Sequence, residues 1–345
     1  MASRTLTQYL LDFGAREKGG EFAQILSAVS VAIKLTASTV ARGPLIVDQA
    51  GSQLPSEEQV RRALRRQATN ALLAQTESLD QLAGISIAGS TKIQQVNADG
   101  RYLLLFEAMH GMTNLADNLP VGSAFSVLER QTRGPCTADD FLQPGTNQLS
   151  AGVALYGPRT VLTLTTGEGV DGFTLDREVG NFVLTGPRLM IPPERPVFAI
   201  NATEAPHWPA PVKRYVEECV LGAEGPRGRD YTMRWNASAL VGAYRVLTSG
   251  GLFLVPQTDK PDAWLAPLLH NAAPLAFLAE QAGGAATTGI QRVLEVVPEG
   301  LTSRVPLFLG CVSEVERIRR YFTEERDADR EYSHPLFRNR TLFTD

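Results

Sequence analysis

Residues Tyr102 to Asn114, YLLLFEAMHGMTN, pass from an apolar run into Glu107, His110, Gly111, Thr113 and Asn114. An acid, an imidazole, a hydroxyl and an amide at the end of a buried strand are groups with which an α/β protein does chemistry. If the strand ends at Glu107, three residues of turn bring the Glu107 and His110 side chains to one cavity. A histidine beside a carboxylate serves as general acid or base near neutral pH. The alternative is that both make ordinary polar contacts in a structural loop, and the residues alone leave the two readings open.

Two helices precede this strand. Between residues 20 and 42, Phe22, Ile25, Leu26, Val29, Ala32 and Ile33 share one face, the mark of an amphipathic helix. In SEEQVRRALRRQATNALLAQ, Ser56 caps the start, acids occupy the first turn and arginines follow. From Tyr102 to about residue 186 short apolar runs alternate with Gly-rich turns at hairpin distances, which predicts a large, mainly antiparallel sheet. After a proline-dense segment the second half alternates helix and strand signals, with strands expected in VFAIN, GLFLVP, RVLEVVP and VPLFLG. The expected organisation is an α/β protein of two halves, 1–190 and 191–345, with a charged surface tail.

The 345 residues suffice for a sizeable core, and 43% hydrophobic with 20% charged residues is ordinary globular composition. A net charge of −4 gives no general attraction to nucleic acid or to an anionic membrane. Cys136, Cys219 and Cys311 are widely spaced, which argues against a disulfide framework or a thiolate zinc site. The start lacks the features of a secretory signal, and no apolar run is read as reaching the roughly 20 residues that span a bilayer. A cytoplasmic protein without membrane or nucleic-acid partners is expected. P-loop, dinucleotide-glycine, HExxH and nucleophile-elbow motifs are absent from the sequence.

Several stretches in order, FLQPGTNQLSAGVALYG, TTGEGVDGFTLD, VFAIN, TSGGLFLVP, PLAFLAEQAGGAATTG and HPLFRNRTLF, resemble class I fructose-1,6-bisphosphatases across nearly the whole chain. The resemblance implies a layered αβαβα fold with two stacked mixed sheets, a homo-oligomer (tetramer or dimer), and metal-dependent removal of the substrate's 1-phosphate. The family's metal signature, Asp-Pro-Leu-Asp-Gly-Ser-Ser-Asn, matches Glu107 to Asn114. One carboxylate is lengthened to Glu107, the other is His110, and the phosphate-facing serine is Met112. The family's glutamate pair falls on Ala88 and Gly89, and an aspartate of the second helix on Arg65. The last metal-ligand glutamate aligns with Asn271, and a substrate-binding lysine with Leu265. A sugar-phosphate tyrosine aligns with Val255.

Magnesium needs several oxygen ligands, usually anchored by carboxylates. With nearly all of them replaced, magnesium binding and two-metal phosphoryl transfer are expected to be lost, leaving no cofactor. Glu107 and His110 remain as candidate acid/base groups. Arg65, Met112, Thr113, Asn114, Arg234, Trp235, Val255, Leu265, His270 and Asn271 are expected to line a pocket for a less anionic, more apolar small molecule. Arg65 can take over the charge role of the metals, whereas Arg61, Arg62 and Arg66 read as a solvated face. Arg234 matches an arginine that reaches a neighbouring subunit's 6-phosphate site, and His270 replaces a tyrosine that can simply pack. The function expected is metal-independent elimination, isomerisation or cyclisation. The alternatives are a non-catalytic regulatory pseudophosphatase and residual sugar-bisphosphate hydrolysis. For an AMP-type regulatory site, Glu21 is kept, Ala23 stands for a threonine, and Arg101–Tyr102 stands for Lys-Tyr.

Overall fold

The computed structural model describes residues 4–15, 20–47, 54–260 and 265–333. Three helices open the chain: α1 (Leu6–Gly14), α2 (Gly20–Arg42) and α3 (Glu57–Thr76). Ser56 caps α3 as its sequence predicts. The Ser56 hydroxyl accepts from the Gln59 amide at 3.3 Å, and the Gln59 side chain accepts from the Ser56 amide at 2.8 Å.

Eight strands follow: β1 (Leu82–Ile87), β2 (Ile93–Gln95), β3 (Tyr102–His110), β4 (Val121–Glu129), β5 (Gln148–Tyr156), β6 (Thr160–Thr165), β7 (Val170–Asp176) and β8 (Asn181–Gly186). They form one sheet in the order β2-β1-β3-β4-β5-β6-β7-β8, antiparallel except between β1 and β3. The second half supplies β9 (Val197–Ala199), α4 (Ala210–Val220), β10 (Thr232–Met233), α5 (Ala239–Ser249), β11 (Leu252–Val255), β12 (Ala266–Pro267), α6 (Ala273–Gln281), β13 (Ala285–Thr287), β14 (Arg304–Val305), β15 (Leu307–Gly310) and α7 (Val312–Ser333). Its five-stranded sheet runs β10-β9-β11-β15-β13, with β12 and β14 paired separately.

Three of the four apolar cores among the described residues define five layers. Ile25, Val29 and Ile33 of α2 pack with Leu104, Phe106 and Phe125 on one face of the large sheet. Its other face, through Ala124, Val153 and Leu155, meets α5, α6 and one face of the small sheet. The far face of that sheet, through Phe198, Leu254 and Phe308, packs against α4 and α7. A helical period of 3.6 and a strand period of 2 let each element present one apolar face to a neighbouring layer. Each fully buried Leu, Ile or Phe contributes about 1.5–3 kcal/mol. This is the αβαβα arrangement expected from the sequence.

Three local expectations are corrected. Strand β3 does not stop at Glu107 but continues to His110, because Ala124 pairs with Glu107 and Gly122 with His110 across an irregularity. RVLEVVP is a 3-10 turn at Val293–Glu295 rather than a strand, since Val293 and Leu294 plug the core between α6 and the sheets. The segment Gly20–Ile46 does have the length and apolarity to cross a membrane, with mean hydropathy 1.4 and 56% of its apolar window buried. In the fold its apolar stripe serves as the core face of α2. HPLFRNRTLF lies outside the described residues.

Candidate functional site

The irregularity in β3 is what assembles the site. In a regular strand residues three apart face opposite sides. Two residues, Ala108 and Met109, stand against the single Ser123 of β4, a bulge that shifts the alternation by one. Glu107 and His110 therefore line the same cavity, of about 330 Å³. The strand ends in Gly111, whose φ of +74° is left-handed. A Cβ there would fall 2.8 Å from the Ser238 Cβ, so glycine answers both a backbone and a packing demand. That close approach sets the Ser238 hydroxyl 3.1 Å from the His110 Nδ1.

Arg65 reaches the cavity from α3, and Met109 and Met112 from the end of β3. Trp235, Phe253, Leu254, Val255 and Leu265 give it apolar walls. Trp235 stacks on Phe253 with ring centroids 6.2 Å apart and planes 9° from parallel. Asn271 enters from a π-turn, Leu268–Ala272, that leads into α6. Its amide nitrogen lies 3.5 Å from the Glu107 Oε2, and its Oδ1 is buried without a hydrogen-bond partner among the described residues.

Burial controls the protonation of this cluster. It raises the Glu107 carboxyl to about 7 against the opposing effects of Arg65, the Asn271 and Met109 hydrogen bonds, and Arg304. Burial, reinforced by the Arg65 charge, lowers His110 to about 4. At neutral pH the pair is a carboxyl poised between its two forms beside a neutral imidazole.

Four expected lining residues fall outside the cavity. The His270 Nε2 lies 3.0 Å from the Ser86 hydroxyl in the core. Consecutive helical side chains diverge, so the π-turn that sends Asn271 to the cavity sends His270 away from it. The Asn114 amide donates to the Pro120 carbonyl at 2.9 Å and to Asn236 at 3.0 Å, pinning the turn after Gly111. Thr113 and Arg234 are exposed and do not line the cavity. Arg62 pairs with Glu58 along α3 at 3.2 Å and lies on a solvated face as expected, whereas Arg61, paired with Glu57 at 2.7 Å, buries its Nε in a cavity wall and departs from that expectation.

The structure adds Asn201, Glu204, Trp208, Ser238 and Arg304 to the lining. Asn201, Glu204 and Trp208 follow β9, and Arg304 lies in the short pair of β12 and β14. Only the assembled second half brings these loops together, and the sequence holds no spacing signal for it. A larger cavity of about 620 Å³ lies between the C-terminal end of α2, the start of α3 and the β5–β6 turn. It is lined by three arginines, Arg42, Arg61 and Arg177, with Glu57 beside them. The chemistry-bearing groups are in the smaller cavity. At the AMP-type position, the Arg101 guanidinium is held by Glu129 at 2.8 Å and lies 3.7 Å from Glu21.

Comparison with known proteins bears on this geometry. Residues 4–187 match the fructose-1-6-bisphosphatase N-terminal domain, and residues 191–323 match its C-terminal domain. The chain belongs to the fructose-1,6-bisphosphatase family. It is 40% identical to a class 1 fructose-1,6-bisphosphatase of Methylacidiphilum infernorum, over 98% of each chain. It superposes on the holo form of Leishmania major fructose-1,6-bisphosphatase with a TM-score of 0.81 and 27% identity, covering 93% of this chain and 99% of that one. For the apo form the TM-score is 0.80 at 28% identity, with 94% and 100% covered.

The family resemblance implies divalent cations, and the residues of the cavity do not fit them. A hard cation such as magnesium takes about six oxygens, several of them from carboxylates. Glu107 and Glu204 are the two carboxylates on the wall, Glu204 is paired with Lys260 at 3.1 Å, and Arg65 and Arg304 share the lining. Among the described residues, no three His, Cys, Asp or Glu side chains are grouped to hold a metal ion. Ala88 and Gly89, beyond the end of β1, offer no side-chain oxygen.

Proposed function

We propose that this member of the fructose-1,6-bisphosphatase family performs metal-independent acid/base chemistry on a small molecule, with Glu107 as the proton-transferring group. The observation that carries the reading is the Glu107 carboxyl itself, buried in a partly apolar cavity and raised to about 7. A group titrating near the working pH donates and accepts protons with balanced driving force. The Asn271 amide orients one Glu107 oxygen, and the neutral His110, steadied by Ser238, is a second proton carrier.

Arg65 and Arg304 supply positive charge for one anionic group of the ligand. Trp235, Met112, Val255 and Leu265 shelter a less polar portion. Proton removal with departure of a leaving group, isomerisation or ring closure are the outcomes such a site supports. The proposal includes the division into halves 1–190 and 191–345, a cytoplasmic location and a homo-oligomer, all carried over from the sequence and the family resemblance. By the family resemblance, Arg234 is the side chain assigned to meet a neighbouring subunit in that assembly.

The 40% identity to a protein named fructose-1,6-bisphosphatase class 1 favours a second reading, sugar-bisphosphate hydrolysis. Phosphate release from fructose 1,6-bisphosphate, with magnesium and with EDTA, separates the two. We expect no turnover above the uncatalysed background in either condition. Robust magnesium-dependent release overturns the proposal. The positive arm incubates a metabolite extract with the protein in EDTA and follows its composition by mass spectrometry. A compound should be consumed by the wild type and spared by Glu107→Gln, and equal consumption by both removes Glu107 from the role.

A further inference from the structure

The cavity of about 620 Å³ between the end of α2, the start of α3 and the β5–β6 turn takes no part in the acid/base reading. It is separate from the smaller one: Arg61 of α3 lines it, whereas Arg65, one helical turn on, lines the other. Its charged groups are Arg42 at the end of α2, Arg61 and Glu57 of α3, and Arg177 in the turn between β7 and β8. Glu57 is already paired with Arg61 at 2.7 Å. Among the described residues no carboxylate pairs with Arg42 or Arg177, and both are exposed. Arg42 makes one long contact, 3.4 Å to the Leu45 carbonyl.

Two guanidiniums are thus left unmatched around one concave space, and a cleft lined by one sign of charge concentrates the opposite ion. The α2 dipole accounts for an arginine in its last turn, which explains Arg42 but not Arg177. A guanidinium fits phosphate in both charge and fork geometry. A phosphate monoester carries about −1.5 to −2 at neutral pH and so matches both arginines, where a monocarboxylate matches one. The rest of the wall is apolar, through Val40, Pro44, Leu115, Leu119 and Pro158. Leu119 is 46% exposed, so part of that wall is open to solvent. A cavity of this size, mainly apolar with a few polar groups, suits a small organic molecule better than a bare ion. The cavity of about 700 Å³ beside Arg101 has the opposite balance, with Glu21, Glu129 and Glu168 against that one arginine, and repels such a ligand.

We infer that this cavity is a second small-molecule site, for a phosphate monoester of an apolar group, its phosphate held by Arg42 and Arg177 and its body resting on Leu115 and Leu119. The inference goes beyond the proposed function and does not rest on it. Arg42 and Arg177 bind this ligand and take no part in proton transfer.

The test is calorimetric titration of the full-length protein, in EDTA at low salt, with three probes: naphthyl phosphate, naphthoate and inorganic phosphate. Naphthyl phosphate should bind about tenfold tighter than either of the others, since naphthoate forgoes one charge-assisted contact and inorganic phosphate forgoes the apolar wall. Arg177→Gln and Arg42→Gln should each weaken naphthyl phosphate about tenfold, and naphthoate less. Both side chains are exposed, so the variants keep the fold, which far-UV circular dichroism checks, and either variant alone suffices. Arg65→Gln, in the other cavity, should leave the affinity unchanged. No binding of naphthyl phosphate by the wild type, or equal binding of naphthoate, overturns the inference. So does an affinity indifferent to Arg42 and Arg177. A loss in Arg65→Gln alone places the probe in the smaller cavity, which overturns this inference and leaves the acid/base reading standing. Magnesium-dependent phosphate release from fructose 1,6-bisphosphate, with naphthyl phosphate still dependent on Arg177, does the reverse.

Discussion

Glu107 and Glu314 are both carboxylates withdrawn from solvent, and the chain treats them in opposite ways. Glu314, in the first turn of α7, accepts from the Tyr215 hydroxyl at 2.7 Å, the Tyr231 hydroxyl at 2.9 Å and Arg229 at 3.4 Å, and it also pairs with Arg227. Burial alone would raise its pKa, but the Tyr215 hydrogen bond and the Arg227 charge outweigh burial and hold it below the usual value. Glu107 receives the long Asn271 amide contact and a Met109 backbone hydrogen bond, which with Arg65 and Arg304 do not offset its burial, and it is raised to about 7. The difference lies in the donors supplied, since both side chains are withdrawn from water. A carboxylate surrounded by donors is a fixed structural anion, and one denied them keeps a mobile proton.

The largest effect should come from breaking the saturated cluster. Glu314→Ala leaves the Arg227 guanidinium, 1% exposed, with only the looser 3.8 Å contact to Glu218 as counter-charge. A loss of about 3–5 kcal/mol in unfolding free energy is expected, measured by urea denaturation. Glu107→Ala should cost less than about 1.5 kcal/mol, because few native interactions go with the carboxyl. Similar losses for the two variants would abolish the contrast.

The contrast also has a pH signature. The folded protein holds the Glu107 proton up to about 7, whereas the free side chain releases it near 4.5, so this group makes stability fall as pH rises through that window. His110 and His270 act oppositely. Each is lowered from 6.5 to about 4 by burial, so their contribution is lost as pH falls from 6.5 to 4. Two histidines against one glutamate make stability climb towards about 6.5 and then decline slightly to 7. Glu107→Gln should turn that decline into a plateau. Relative to the wild type it should gain about 2 kcal/mol between pH 4.5 and 7, after discounting the shift for solvent at the cavity mouth. Parallel denaturation profiles for the two proteins would show that Glu107 titrates like an exposed acid.

Much of this architecture is legible in the sequence, because apolar periodicity and caps act over a few residues. The α2 stripe from Phe22 to Ile33 and the Ser56–Gln59 cap of α3 are local signals that packing does not override. The site is legible only in part. Glu107, Arg65 and Asn271 sit at positions that the family resemblance marks, and all three line the cavity. His270, adjacent to Asn271, does not, since a helical turn separates neighbours that look equivalent in the sequence. The bulge that unites Glu107 with His110 depends on the pairing of β3 with β4, which no local pattern records. Glu204, Trp208 and Arg304 reach the cavity through loops ordered by the second half.

A pair of variants that ends on the smallest effect, Ser238→Ala, tests how closely the site depends on that bulge. At Gly111 the left-handed φ and the 2.8 Å approach to the Ser238 Cβ leave no room for a methyl group. Gly111→Ala should cost about 1–3 kcal/mol and push Ser238 away from the His110 Nδ1. Ser238→Ala removes only the hydroxyl at 3.1 Å, and should cost about 1 kcal/mol while leaving the backbone in place. If His110 is a proton carrier held by Ser238, the two variants should move its imidazole NMR signals alike despite their unequal stabilities. If the signals move only in Gly111→Ala, the glycine shapes the turn but the Ser238 hydroxyl does not orient His110, and Glu107 is left as the one positioned proton-transfer group.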